Sequence, residues 1–340
     1  MPPSAAVRSE AQRLLALFTG RGAEVVETDI LQPAGPFLDL YGEDIRARAY
    51  RVADPIRGEM MLRPDHTVPL LRRHIEEGAG EARYAYAGEV FRRQERAEGP
   101  SEYVQVGYEV IGAGPEADAE VLAAMAEALA GTGARPVTGD IGLLIAAVDS
   151  LDTTDRRKAA LMRHIWRPAR FDALLDRFAG PAPERDVAAA EAAIEAYPEN
   201  GLRTAGEVRE RLEALREDAA QPPVPALQIE AMRALEDLSG PASTIPDRLS
   251  DLARALPGLA GAATRMERRV ADCRAAGLPD LPFDASHGRG ALEYYDGMVF
   301  AFAAPGRPPV ATGGRYDALA TALGGEAVTA VGGVIRPHAL

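Results

Sequence analysis

Apolar positions set a helical rhythm from the start of the chain. Val7, Ala11, Leu14, Leu15 and Phe18 share one face of a helix predicted over 4–19, with Ser4 as its cap and Gly20 and Gly22 as its stop. Residues 24–31 then predict a strand, ended by Pro33 and Gly35. Residues 48–52 and 59–62 predict two more strands, joined at Asp54-Pro55 through Gly58. Thr67 is placed to cap a helix running to about Glu77, with Pro69 tolerated in its first turn.

The clearest alternation follows. Residues 84–94 and 102–111 read as two strands joined by a polar loop at 95–101. In the second run Val104, Val106, Tyr108 and Val110 fall on one face, and Tyr103, Gln105, Gly107 and Glu109 on the other. An amide, a glycine and a carboxylate in register are not what a plain solvated face carries. Gly107 leaves room for another group to approach the sheet closely. The pattern points to a ligand-facing surface.

Residues 116–131 predict an Ala-rich helix and 135–144 a strand. From Asp149 to about Ala271 the pattern is almost wholly helical, divided by Pro and Gly breaks near 180, 197–201 and 221–225. Strand character returns at 281–283, 291–302 and 309–312. A Gly313-Gly314 turn leads to a short helix at 316–323 and a last strand around 327–335. The expected architecture is α+β: an antiparallel sheet flanked by helices, formed by residues 1–145 and 271–340 and interrupted by a helical insertion at 146–270.

Composition narrows the function. The chain has 340 residues, 47% of them hydrophobic, and a net charge of −13. Acidic excess argues against a broad nucleic-acid surface. No apolar run is long enough to span a membrane and no signal peptide is visible, so a cytoplasmic protein is expected. Cys273 is the only cysteine, and the five histidines lack zinc-site spacing, so no metal is expected. Lys158 is the only lysine. No G-x-S-x-G, H-E-x-x-H or P-loop motif occurs, and no cofactor is implied.

Four segments in order resemble class II aminoacyl-tRNA synthetases, and histidyl-tRNA synthetase among them. Leu62-Arg-Pro-Asp-His-Thr67 resembles that family's L-R-P-E-G-T. Phe91-Arg92, a loop, and Gln105-Val-Gly-Tyr-Glu109 resemble its motif 2 hairpin. Residues 291–300 (ALEYYDGMVF) resemble the histidine-specific R-G-L-D-Y-Y-x-x-T-V-F. Gly313-Gly-Arg-Tyr-Asp-Ala-Leu319 resembles G-G-R-Y-D-G-L. The match spans roughly 5–145 and 270–336 and implies the class II catalytic fold.

The departures fall on the catalytic positions. The motif 2 glutamate falls at Gln94. The arginine opening R-G-L-D-Y-Y falls at Gly290, with Arg289 one place off. Motif 3, G-x-E-R, is replaced by Val334-Ile-Arg-Pro-His-Ala-Leu340, its arginine position lying near Ala339, and no anticodon-binding domain follows. Adenylation needs cations to stabilise charge at the α-phosphate. The combination resembles the regulatory subunits of ATP phosphoribosyltransferase, a non-aminoacylating paralogue family. That resemblance implies a short catalytic partner subunit acting in the first step of histidine biosynthesis, histidine feedback control, and a hetero-octamer. It also implies a homodimer through the motif 1 region, which extends to Pro33.

The resemblance also assigns a histidine site. Asp65, Thr67 and Gln105 suit the ammonium, Glu109 and Tyr295 the imidazole, and Arg92 the carboxylate. Strand alternation allows only one of Tyr294 and Tyr295 to face the ligand, and Tyr295 is preferred. Arg315 is a further candidate; its plain alternative is a solvated arginine at a helix start. Glu109 and Asp65 could be ordinary surface acids, and Cys273 a small core residue. Two rival readings remain at this level: a truncated enzyme that still activates an amino acid, and a scaffold with a dead pocket.

Overall fold

The structure, a computed structural model, describes residues 3–41, 49–93, 100–181, 192, 204–289 and 294–340. Gln94, Gly290 and 291–293 lie outside the described residues. The strands are β1 (Glu24–Val25), β2 (Leu31–Pro33), β3 (Arg51–Asp54), β4 (Gly58–Leu62), β5 (Ala82–Phe91), β6 (Glu102–Ile111), β7 (Arg135–Asp140), β8 (Ser239–Pro241), β9 (Pro282–Asp284), β10 (Met298–Ala303), β11 (Ala311–Arg315) and β12 (Ala330–Ile335). Nine of them form one sheet in the order β1-β5-β6-β12-β11-β10-β7-β9-β8, and β2-β4-β3 form a second. The large sheet is antiparallel except at β1–β5 and β7–β9. This is the expected α+β class.

The sheet separates two apolar layers. Val104, Val106, Tyr108 and Val110 of β6 pack with Leu14 and Phe18 of the helix Ala5–Gly20 and with Val121, Leu122 and Met125 of the helix Ala117–Ala128. Ser4 caps the first of these helices, as predicted. The opposite face gathers Tyr86, the helix Thr67–Glu77 through Leu70 and Leu71, and the helices that follow β7. Alternation along β6 thus puts apolar residues against helices on one side and frees the other for a site.

Five local expectations change. Gly313 and Gly314 do not form a turn: both lie within β11, flanked by β10 and β12, where the lack of side chains lets Phe300 and Tyr295 pack against the strand. The run 24–31 is not one strand: β1 joins the large sheet and β2 the small one, with Pro33 on an edge where its missing N–H costs no ladder bond. Residues 141–144 begin the helix Ile141–Asp149, because a short apolar run fits either period and its buried Ile141, Leu144 and Val148 follow the helical one. Strand β10 starts at Met298, so Tyr294 and Tyr295 precede it in an irregular segment and are not bound by strand alternation. Thr67 does not cap its helix; Asp65 Oδ1 accepts from the Val68 N–H at 3.2 Å instead. Within 146–270 the chain also supplies β8, paired with β9 of the large sheet.

A buried ion cluster links distant parts of the chain. Arg269, on the helix Leu259–Ala275, donates to Asp118 Oδ2 and Asp140 Oδ2, each at 2.7 Å. Arg315 reaches Asp118 Oδ1 from the end of β11. Asp118 and Asp140 are both buried, so neither can be left unpaired cheaply. Arg269→Met should therefore cost about 3–5 kcal/mol of unfolding free energy. Urea denaturation checks this, and a loss under about 1 kcal/mol would contradict the role.

Candidate functional site

A cavity of about 460 Å³ opens on the polar face of β6. Asp65, Thr67, Arg92, Gln105, Glu109 and Tyr295 all line it. Residues 63–67 bring the first two in from the loop and helix start after β4, Arg92 follows the last residue of β5, and β6 supplies Gln105 and Glu109. Tyr294 lines it as well, because both tyrosines sit in the irregular segment before β10. Their rings lie 4.7 Å apart, centroid to centroid. Arg315 is not part of the lining. Its guanidinium is held by Asp118 and Asp317, so the ligand role suggested for it is not what its position serves.

Glu109 is the chemical centre of the cavity. It is 1% exposed, and three hydroxyls donate to it. Thr67 and Tyr86 reach Oε1 at 3.0 and 3.1 Å, and Tyr316 reaches Oε2 at 2.6 Å. Burial pushes its pKa up to about 7, against the three hydroxyls that favour the carboxylate, and nearby Asp65 adds to the rise. Burial and the Glu109 charge hold both Tyr86 and Tyr316 well above the usual phenol range, so they remain donors. Each carboxylate oxygen has two lone pairs. Oε1 has both engaged, and Oε2 keeps one acceptor position for an incoming N–H.

The glycines around this carboxylate have a different purpose from the one expected. A Cβ on Gly107 would stand 2.1 Å from Tyr86 Cζ. The space above Gly107 is thus filled by the Tyr86 ring, which crosses from β5 to reach Glu109, and not by a ligand. A Cβ on Gly332, the cross-strand partner of Glu109, would stand 1.4 Å from Oε2. Both positions exclude side chains so that the Glu109 cage can close.

Acids and bases are grouped around the cavity. Glu109 and Asp65 act on each other, whereas Arg92 and Arg336 act on each other. Gln105 is 1% exposed, and its Oε1 has no hydrogen-bond partner among the described residues. A buried amide oxygen left without a donor is costly, and a ligand donor would relieve it. Arg289, beside the family's catalytic arginine position, is turned away. It donates to Ile165 O and to Glu236 Oε1 and covers the Phe171 ring.

Sequence reading missed Tyr86, Tyr316 and Arg336. Tyr86 alternates with Tyr84 and Gly88 on the face of β5 that pairs with the polar face of β6, which is a usable signal. Arg336 continues the parity of Gly332 and Val334 one residue beyond β12. Tyr316 follows a β11 glycine pair, and nothing in its spacing separates it from Arg315.

A carboxyl whose pKa is raised on folding destabilises the folded state as it ionises. Stability from Glu109 is full below its ordinary value of 4.5 and is lost as pH rises through about 7. Glu109→Gln removes this dependence. The melting temperature of the variant minus that of the native protein should rise from about pH 5 to about pH 8. A difference that stays flat or falls over that range, measured by calorimetry, would contradict a buried ionisable cage.

Comparison with known proteins places the site in a family. The histidyl-tRNA synthetase family model matches residues 1–201 and 185–340. An ATP phosphoribosyltransferase regulatory subunit of Agrobacterium fabrum is 34% identical, over 95% of this chain and 93% of its own length. One from Chelativorans is also 34% identical, over 94% and 92%. Among solved structures, an ATP phosphoribosyltransferase regulatory subunit/histidyl-tRNA synthetase of Bacillus halodurans superposes with a TM-score of 0.70 at 19% identity, covering 98% of this chain and 77% of that one. A histidine–tRNA ligase subunit of Alicyclobacillus acidocaldarius gives 0.63 at 24%, covering 99% and 92%. These likenesses carry the class II synthetase-like fold, and the curated relatives carry more: the chain belongs to the ATP phosphoribosyltransferase regulatory subunit family.

Proposed function

We propose that this chain binds free histidine in the Glu109 cavity, activates a short-form catalytic ATP phosphoribosyltransferase and helps confer histidine feedback on it. The observation that carries the reading is the cavity itself, in which the six residues assigned from sequence meet around one buried carboxylate with one open acceptor position. An imidazole N–H suits that position, with Tyr295 alongside. The ammonium suits Asp65, Gln105 and the lone pairs of Thr67, whose proton is already given to Glu109. The carboxylate suits Arg92. On this reading the protein works in the cytoplasm, on a homodimer core within a hetero-octamer, and uses neither metal nor cofactor.

The rival reading, an amino-acid-activating enzyme, needs cations placed for a triphosphate. The orientation of Arg289 towards Glu236 weighs against it. Pyrophosphate exchange with ATP and histidine should therefore stay at background, and a synthetase-like rate would overturn the regulatory reading. A scaffold with a dead pocket has no use for a ligand-facing carboxylate. A hydrogen bond to a charged group contributes about 1.5–3 kcal/mol. Glu109→Ala should accordingly weaken histidine binding about ten- to a hundredfold in calorimetric titration, with the fold retained. Unchanged affinity would remove histidine from this cavity, and absence of any binding by the native protein would favour the scaffold. Co-purification with a short catalytic subunit, and a rise in its turnover on addition of this chain, test the partner.

A further inference from the structure

We propose that Arg336, together with Arg92, forms a carboxylate-reading subsite, and that this subsite restricts the cavity to a free amino acid with an unsubstituted carboxylate. The inference rests on the histidine reading and adds to it the residue that sets its selectivity.

Arg336 differs from the other buried arginines in the charge around it: Arg63 also bonds only to neutral oxygens, Glu89 O and Thr28 O, but the acids Glu89, Asp29 and Glu27 act on it. Arg157, Arg269, Arg289 and Arg315 each pair with an aspartate or glutamate. Arg336 has no carboxylate partner among the described residues, and the charge of Arg92, of the same sign, acts on it. Its Nη1 donates to Pro309 O and its Nη2 to Thr312 Oγ1, both at 3.1 Å, and Tyr103 supplies a third contact. All of these partners are neutral. A guanidinium has five N–H donors in a fixed fork, so donors remain after these bonds. The neutral contacts fix the fork at the cavity wall without neutralising it. Two cations held near each other in a partly desolvated site are unfavourable unless an anion joins them.

Charge balance indicates which anion. The lining carries two arginines, Arg92 and Arg336, and two acids, Asp65 and Glu109. Burial lowers the pKa of His287, so its imidazole adds no cation near neutrality. A zwitterion with one carboxylate matches this lining. A triphosphate, with several negative charges, would face both acids. The planar fork also matches a carboxylate geometrically. Histidinol and histamine keep the imidazole and ammonium and lack the carboxylate, and would forgo this subsite while retaining Glu109, Gln105 and Asp65.

The test is calorimetric titration of the full chain with L-histidine, L-histidinol and ATP, using the native protein and the Arg336→Met and Arg336→Lys variants, with thermal melts confirming that each is folded. The native protein should prefer histidine to histidinol by about tenfold or more. Arg336→Met should lose about ten- to a hundredfold in histidine affinity and leave histidinol within about twofold, so that the preference collapses. Arg336→Lys, which keeps the charge and loses the fork, should fall between them. Equal losses for both ligands, or no loss for histidine, would overturn the subsite while leaving histidine binding in place. Measurable native affinity for ATP that the Met variant loses would make the subsite a phosphate site and overturn the proposal. A native protein that binds no histidine would overturn the functional reading and this inference together. If Arg336→Met does not fold, the histidine-to-histidinol ratio in Arg336→Lys decides, an unchanged ratio being the contrary result.

Discussion

A carboxylate on the inner face of a sheet has to be satisfied by the protein around it, and much of this chain is arranged to satisfy Glu109. Its three hydroxyl donors come from three separate places: Thr67 at a helix start, Tyr86 on the neighbouring strand, and Tyr316 just after β11. Two of the nearby glycines exist for the same reason. Gly107 lets Tyr86 cross the sheet, and Gly332 leaves the volume that Oε2 occupies. Neutral hydroxyls compensate burial only in part, so Glu109 keeps a pKa near 7. A cationic or N–H-bearing ligand would complete the compensation. The unmet demand of this one group is the physical basis for expecting a ligand there.

The rest of the fold holds that arrangement still. The apolar face of β6 is clamped by two helices, which fixes the direction in which Glu109 points. On the far side of the strand array, the buried Arg269–Asp118–Arg315 cluster joins the helix Leu259–Ala275 to the end of β11, directly before Tyr316. Arg315 is thus a structural neighbour of the site. The position next to the family's catalytic arginine is used similarly: Arg289 ties the segment before β10 to Glu236 and to the Ile165 carbonyl. Arginines that could have served chemistry are engaged in packing, and Arg336 and Arg92 are the ones that face the cavity.

Much of this was legible in the amino-acid pattern because β6 alternates cleanly, and its polar parity named Gln105 and Glu109 directly. What could not be read were relations between strands. Gly107 correctly announced a close approach, but only the β5 register shows that the approaching group is Tyr86. Strand alternation would separate Tyr294 from Tyr295, but the strand begins only at Met298. The apolar run Ile141 to Leu144 supports either period, and only packing selects the helical one. Arg336 lies past the last strand, where alternation no longer has a neighbour to confirm it. The Thr67 hydroxyl suits a helix cap by sequence, but Asp65 takes that bond and leaves Thr67 for Glu109.

The central claim is that this cavity holds histidine, with the imidazole on Glu109 and the carboxylate on the two arginines. The most direct measurement is a crystal structure of the protein grown with L-histidine. The account predicts one bound molecule with a ring nitrogen within hydrogen-bond distance of Glu109 Oε2 and its carboxylate between Arg92 and Arg336. Histidine bound in the reverse orientation, or bound elsewhere with this cavity empty, would contradict it.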